Sequence, residues 1–145
     1  MKLTIEEDFI NTLSEIIEQR NNCVLETDMI GYTAWIRSRG GKGYENEFRV
    51  SVIPNCHLVI SRVCFSHRRC GTMTAVLSYI MEYCIRNNIP VIVVQSVQTY
   101  EMMQFCLKNK FIASPYNSMF EGVLMGDYIL RISDFQAEST EMSRM

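Results

Sequence analysis

Val63-Cys64-Phe65-Ser66-His67-Arg68-Arg69-Cys70-Gly71-Thr72-Met73-Thr74 is the stretch on which the fold of this chain turns. An apolar segment, His57 to Phe65, leads into it as a strand, and an amphipathic segment from about Gly71 to Arg86 leads out of it as a helix. A helix N-terminus carries about half a positive charge, so a cation there is unfavourable by about 0.3–1 kcal/mol. Arg68 and Arg69 nevertheless stand at that point, with no acid until Glu82. First-turn N–H groups, a glycine that permits close approach and a basic rim together form a cradle for an anion such as phosphate. Taken alone, the same residues also suit a solvated turn whose arginines point to water.

The flanking sequence supplies the rest of an α/β pattern. Upstream, Ile5, Phe9, Ile10, Leu13, Ile16 and Ile17 recur at helical spacing behind a Thr4–Glu7 capping box, which predicts a helix from about Ile5 to Arg20. Between Cys23 and Arg49 the pattern is weak: Thr33 to Arg37 reads as a short strand and Gly40-Gly41-Lys42-Gly43 as a turn. Phe48 to Ile53 reads as a strand, and Pro54-Asn55 turns it back into the His57–Phe65 strand, giving a meander. Downstream, Met73, Val76, Leu77, Ile80, Met81 and Cys84 share one helix face, and Pro90 stops that helix after Asn87-Asn88. Val91 to Val97 is an apolar run suited to a strand buried on both sides. A helix from about Thr99 to Asn109, a short extension at Phe111 to Ala113 and a strand or hairpin from Glu121 to Ile132 complete the pattern. Strand–helix–strand–helix–strand behind an antiparallel meander predicts an α/β domain on a mixed sheet. It is expected to span residues 1–135, with a mobile polar tail at 136–145.

Composition removes several function classes. A net charge of −2 leaves no basic excess for general nucleic-acid binding. No window approaches 18 uninterrupted apolar residues, and the N-terminus turns acidic where a leader would turn apolar, so a membrane span is not expected and a cytoplasmic setting is. The six cysteines include no C-x-x-C pair and share the chain with only His57 and His67, so reduced thiols are expected and a metal site is not.

The spacing Val63-x-x-x-x-Arg68-x-x-Gly71 resembles the acyl-CoA signature Q/R-x-x-G-x-G/A of the GNAT family of N-acetyltransferases, in which a strand valine precedes the arginine by five residues. About forty residues on, where that family carries an aromatic-Tyr-x-x-x-Gly-Phe stretch, this chain has Phe105-Cys106-Leu107-Lys108-Asn109-Lys110-Phe111. The resemblance covers roughly Ser51 to Ile132. It implies an α/β fold of the acyl-CoA N-acyltransferase type: a mixed, mostly antiparallel central sheet with helices on both faces. It also implies acetyl-CoA as co-substrate, transfer of its acetyl group to a small-molecule or protein amine, and homodimerisation as one family habit. Carried over by position, backbone groups of Val63 and Phe65 would pair with the pantetheine arm. The groups around Arg69, Cys70, Gly71, Thr72, Met73 and Thr74 would hold the pyrophosphate, and Arg68 would support that loop or contact phosphate.

Departures from the pattern motivate a second expectation, a catalytically degenerate protein of the same fold that binds a partner. Met73 stands where the fingerprint has glycine or alanine and could crowd the pyrophosphate. Cys106 replaces the family's tyrosine proton donor, Lys110 replaces a glycine, and Thr99 stands where asparagine is common. Cys106 is the candidate catalytic acid, competing with a plain packing role. His57, Glu45 and Glu47 are weaker candidates near the acceptor, Tyr32 and Trp35 candidate walls for it, and Tyr100 and Tyr116 alternative donors. Each of these also has an ordinary surface or core reading.

Overall fold

The computed structural model describes residues 5–38, 46–65 and 71–134. The Gly40–Gly43 turn, Glu45, Thr4 and the tail after 135 lie outside them. Helix α1 (Glu7–Asn21) leads into strands β1 (Leu25–Ile30), β2 (Thr33–Ser38), β3 (Glu47–Ile53) and β4 (His57–Cys64). Helix α2 (Thr72–Arg86), β5 (Val91–Val97), α3 (Tyr100–Lys108), β6 (Ile112–Ala113), β7 (Ser118–Phe120) and β8 (Val123–Arg131) follow. The strands make one sheet in the order β1-β2-β3-β4-β5-β8-β6, with β7 also on β8. Every pairing is antiparallel except β4 with β5. The fold is therefore α/β with a mixed, mostly antiparallel sheet carrying packed helices. Among the described residues no helix is long and apolar enough to cross a membrane.

Alternation along the strands sets which side is buried. Ala34, Ile36, Phe48, Val50, Val52, Leu58, Ile60, Ile92, Val94, Tyr128 and Leu130 are all buried, while Trp35, Arg49, Ser51, Val59, Val93 and Ile129 between them are half-buried. The face predicted for α2 is the one buried, through Val76, Leu77, Ile80, Met81 and Cys84. Phe9 of α1 stacks on Tyr83 and Tyr79 of α2, with ring centroids 3.9 and 5.7 Å apart. Stacked rings in a dry contact contribute about 0.5–1.5 kcal/mol beyond their buried area.

Two positions that depart from the family pattern have a local explanation. Thr99 is the N-cap of α3, its Oγ1 accepting from the Met102 N–H at 3.3 Å. Lys110 lies just past the end of α3 at φ 71°, where the Phe111 N–H closes on the Cys106 carbonyl at 2.9 Å. That left-handed closure is the one a glycine makes without steric cost. Lys110→Gly is therefore expected to stabilise the protein by about 0.5–1 kcal/mol, read as a higher urea midpoint with unchanged slope. An unchanged or lower midpoint would contradict it.

Candidate functional site

The parallel pairing of β4 with β5 is short. It runs through Leu58–Ile92, Val59–Val93 and Ile60–Val94 and stops there, although both strands continue. Each strand carries an irregularity just past the last pair. On β4, Arg49 of β3 pairs with Arg62 but Val50 pairs with Ile60, so Ser61 is an extra residue. On β5, Val94 pairs with Tyr128 and Val97 with Gly126, so Gln95 and Ser96 together oppose Asp127. Such bulges bend a strand and raise its local twist. With one on each partner at the same level, the strands part. Ile60 to Val63, Val94 to Thr99 and Met102 line a cleft of about 240 Å³ between them.

The β5 bulge is held from outside. Ser96 adopts φ 55° and its N–H donates to Asp127 Oδ1 at 2.9 Å. Asp127 is held in turn by Asn117, whose Nδ2 donates to its carbonyl and whose Oδ1 accepts from its N–H, both at 3.0 Å. Gly126 is required beside them. At φ 136°, a Cβ there would lie 2.1 Å from Asn117 Oδ1.

The expected anion cradle is a separate place, the start of α2. Gly71, the N-cap residue, has φ 77° and supplies no side-chain bond, and the first turn holds no acid. An arginine from the other end of the sequence reaches this point: a Cβ built on Gly71 would lie 3.3 Å from Arg20 Nη1. Buried Asn21, which the sequence suggested only as a helix stop, fixes the approach. Its Nδ2 donates to Thr72 Oγ1 at 3.0 Å and to the Ile17 carbonyl at 3.2 Å, tying the end of α1 to the start of α2. Arg20, Gly71, Thr74 and Ser78 lie along a groove of about 570 Å³, with Glu82 also in its wall. Arg20 carried no sequence signal, because only the tertiary packing of α1 on α2 brings it there.

The expected site residues thus divide. Val63 and Phe65 lie on or just past the β4 edge beyond the last parallel pair, and Gly71, Thr72 and Thr74 at the head of α2. Met73 packs against the core cluster and does not line the groove. Arg68, Arg69, Cys70 and His67 lie outside the described residues. Tyr116 and Tyr100 are exposed and do not line the cleft. His57 is the first residue of β4, its Nδ1 3.2 Å from Sγ of the exposed turn residue Cys56.

Cys106, the expected proton donor, is 0% exposed and does not line the cleft. Burial pushes its thiol up to about 12. A donor that weak would protonate a thiolate of ordinary pKa, about 8.5, uphill. The location and the acidity both suit packing.

Glu47 departs most from expectation. It belongs to β3 and is buried, with Arg62 Nε at 2.8 Å from one carboxylate oxygen and Arg49 at 3.6 Å from the other. Arg49 also lies over Trp35, its guanidinium carbon 5.3 Å from the ring centroid.

No family model matches the chain, and no curated protein matches it. Solved structures do resemble it. Ard1 from Thermoplasma volcanium is 12% identical over 88% of this chain and 80% of its own, with a TM-score of 0.49. A GNAT family acetyltransferase from Elizabethkingia anophelis with acetyl-CoA bound is 11% identical over 81% and 80%, at 0.46. Nourseothricin acetyltransferase is 10% identical over 89% and 96%, at 0.49. At such identities and scores, what the site does is derived from its own geometry.

Cys84 and Cys106 both move from 9.0 to about 12 through burial, and the Tyr83 hydroxyl from 10.0 to about 12 through burial and the charge of Glu6. The unfolded chain releases these protons at lower pH than the folded one. The associated stability is therefore complete below about pH 9 and is lost as pH rises towards 12. The urea midpoint is expected to fall between pH 8.5 and 10.5, and Cys106→Ala to start lower but fall less steeply. An equal slope in the variant would contradict a buried thiol.

Proposed function

We propose that this chain is an acetyl-CoA-dependent N-acetyltransferase. The parting of β4 and β5 past Ile60 and Val94 carries this reading. An unpaired strand edge is a template for another amide-bearing chain, and the pantetheine arm of CoA offers amides in an extended geometry. In this assignment the β4 edge at Val63 and Phe65 holds that arm. The pyrophosphate lies against the N–H groups of Gly71, Thr72, Met73 and Thr74, with Arg20 beside them. Arg68, Arg69 and Cys70 join this set by the sequence resemblance.

Acetyl-CoA supplies an acyl group already activated as a thioester. The acceptor, a small-molecule or protein amine, enters the cleft between the strands. Its nitrogen forms a bond to the acyl carbon, the carbon–sulfur bond breaks with its electron pair on sulfur, and the amine proton passes to water. A backbone N–H of β4 near Val63 faces the charge developing on the acyl oxygen. The departing thiolate, stable near its own pKa, takes its proton from solvent at the cleft mouth, and Cys106 serves as core. The inward packing of Met73 supports an accessible cradle and weakens one of the departures that motivated a degenerate binding protein.

Acetyl-CoA at about a hundred times its dissociation constant should stabilise the fold by about 2.7 kcal/mol, a rise in Tm of roughly 5–10 °C for a domain of this size. Arg20→Glu should remove most of that rise while leaving the apo Tm within a few degrees. CoA release with a panel of amines then measures transfer. A folded protein with no shift at millimolar acetyl-CoA would contradict the proposal.

A further inference from the structure

Among the described residues, the outer edge of β8 has no strand partner at two positions. β6 pairs as far as Tyr128 and β7 starts at Met125, so Gly126 and Asp127 fall between them. The Asn117 side chain fills that interval. Its Nδ2 donates to the Asp127 carbonyl and its Oδ1 accepts the Asp127 N–H, both at 3.0 Å, as a residue of a neighbouring strand would. A turn fixes Asn117 in turn, its N–H donating to the Ser114 carbonyl at 3.1 Å, while the Ser114 N–H donates to the Asp127 carbonyl at 2.9 Å. Held in this way on one side, Asp127 offers its carboxylate to β5 on the other, where Oδ1 accepts from the Ser96 N–H at 2.9 Å.

The register of β5 does not by itself dictate the conformation of Ser96. Val94 and Val97 are both buried, so the core sets two residues between them where alternation would allow one. In a bulge of that count the inserted residue commonly lies near the right-handed helical region, or is a glycine in the left-handed one. Ser96 holds φ 55°, a region unfavourable to a side chain. The bond from its N–H to Asp127 offsets that cost. It also has a consequence in the cleft, because a trans peptide carries its N–H and C=O on opposite sides. The peptide is trans, and with the Ser96 N–H turned to β8 the Gln95 carbonyl is turned towards β4. Gln95 and Ser96 both line the cleft, so that carbonyl faces whatever fills it.

Resting on the transferase reading above, we infer that the Gln95 carbonyl accepts an amide N–H of the pantetheine arm from the β5 side of the cleft, and that Asp127 is the positioning residue that turns it there. An extended chain lying between two strands presents polar groups along both of its edges. One edge of the arm meets β4 at Val63 and Phe65, and the other meets β5 at Gln95. Asp127 does not line the cleft and does not touch the ligand. It acts through the Ser96 N–H, with Asn117 behind it.

Two measurements test this together: the Ser96 φ in the ligand-free protein, from NMR backbone couplings, and the calorimetric affinity for acetyl-CoA. Asp127→Ala should carry Ser96 to a negative φ and weaken acetyl-CoA about tenfold, since apparent affinity falls with the fraction of molecules holding the competent arrangement. Asn117→Ala should move both readings the same way by less. Asp127→Asn keeps an acceptor without the charge, so Ser96 should stay at positive φ and acetyl-CoA should bind within about threefold of the wild type. Adding Ser96→Gly to Asp127→Ala should recover most of the lost affinity, because glycine takes a positive φ without steric cost. A loss caused by general destabilisation or by the missing charge would not respond to that second substitution. Positive φ retained in Asp127→Ala, unchanged affinity there, or a loss that neither Asp127→Asn nor Ser96→Gly restores would overturn the inference. A wild-type protein that binds no acetyl-CoA would overturn the transferase reading and the arm contact with it. Wild-type binding that is indifferent to Asp127 would overturn the inference alone, so the two failures are told apart.

Discussion

Everything distinctive in this molecule follows from a hydrogen-bond ladder that stops early. β4 and β5 share three register positions and then separate, in a sheet where each strand gains by pairing along its length. Unpaired backbone groups are costly where water cannot reach them. The separation survives because each strand is committed elsewhere: β4 to β3 through the Ser61 bulge, and β5 to β8 through the Ser96–Asp127 bond. Re-pairing would require undoing one of those. The open edge is thus built into the fold.

The electrostatics of the α2 head and of the polar sheet face differ. At the head of α2, Arg20 and the helix N-terminus add positive potential, with Glu82 further along the same groove. On the polar face of the sheet, Glu47 lies against Arg49 and Arg62, and Asp28 and Glu26 face Arg37, so three acids balance three guanidinium groups.

The sequence was most readable where periodicity is imposed by burial on one side. The α2 face and the limits of β5 match their patterns because Val76, Leu77, Ile80, Ile92 and Val94 have no alternative to the core. β1 escaped notice because Leu25 and Thr27 are only half-buried and the remaining four residues are exposed, so no alternation is required of it. β7 is exposed at all three positions for a similar reason. The site was half legible. Gly71 and the β4 edge belong to a local motif, whereas Arg20 arrives through the packing of α1 on α2. Glu47 looked solvated because its partners, Arg49 and Arg62, come together only through cross-strand register and a bulge that no local pattern encodes.

The central claim is that the unpaired β4 edge and the head of α2 hold one ligand together. Amide hydrogen exchange with and without acetyl-CoA tests it most directly. The account predicts added protection at Ser61 to Phe65 and at Thr72 to Thr74, with β1 and β2 unchanged. Binding without protection on β4, or protection confined to other elements, would contradict it.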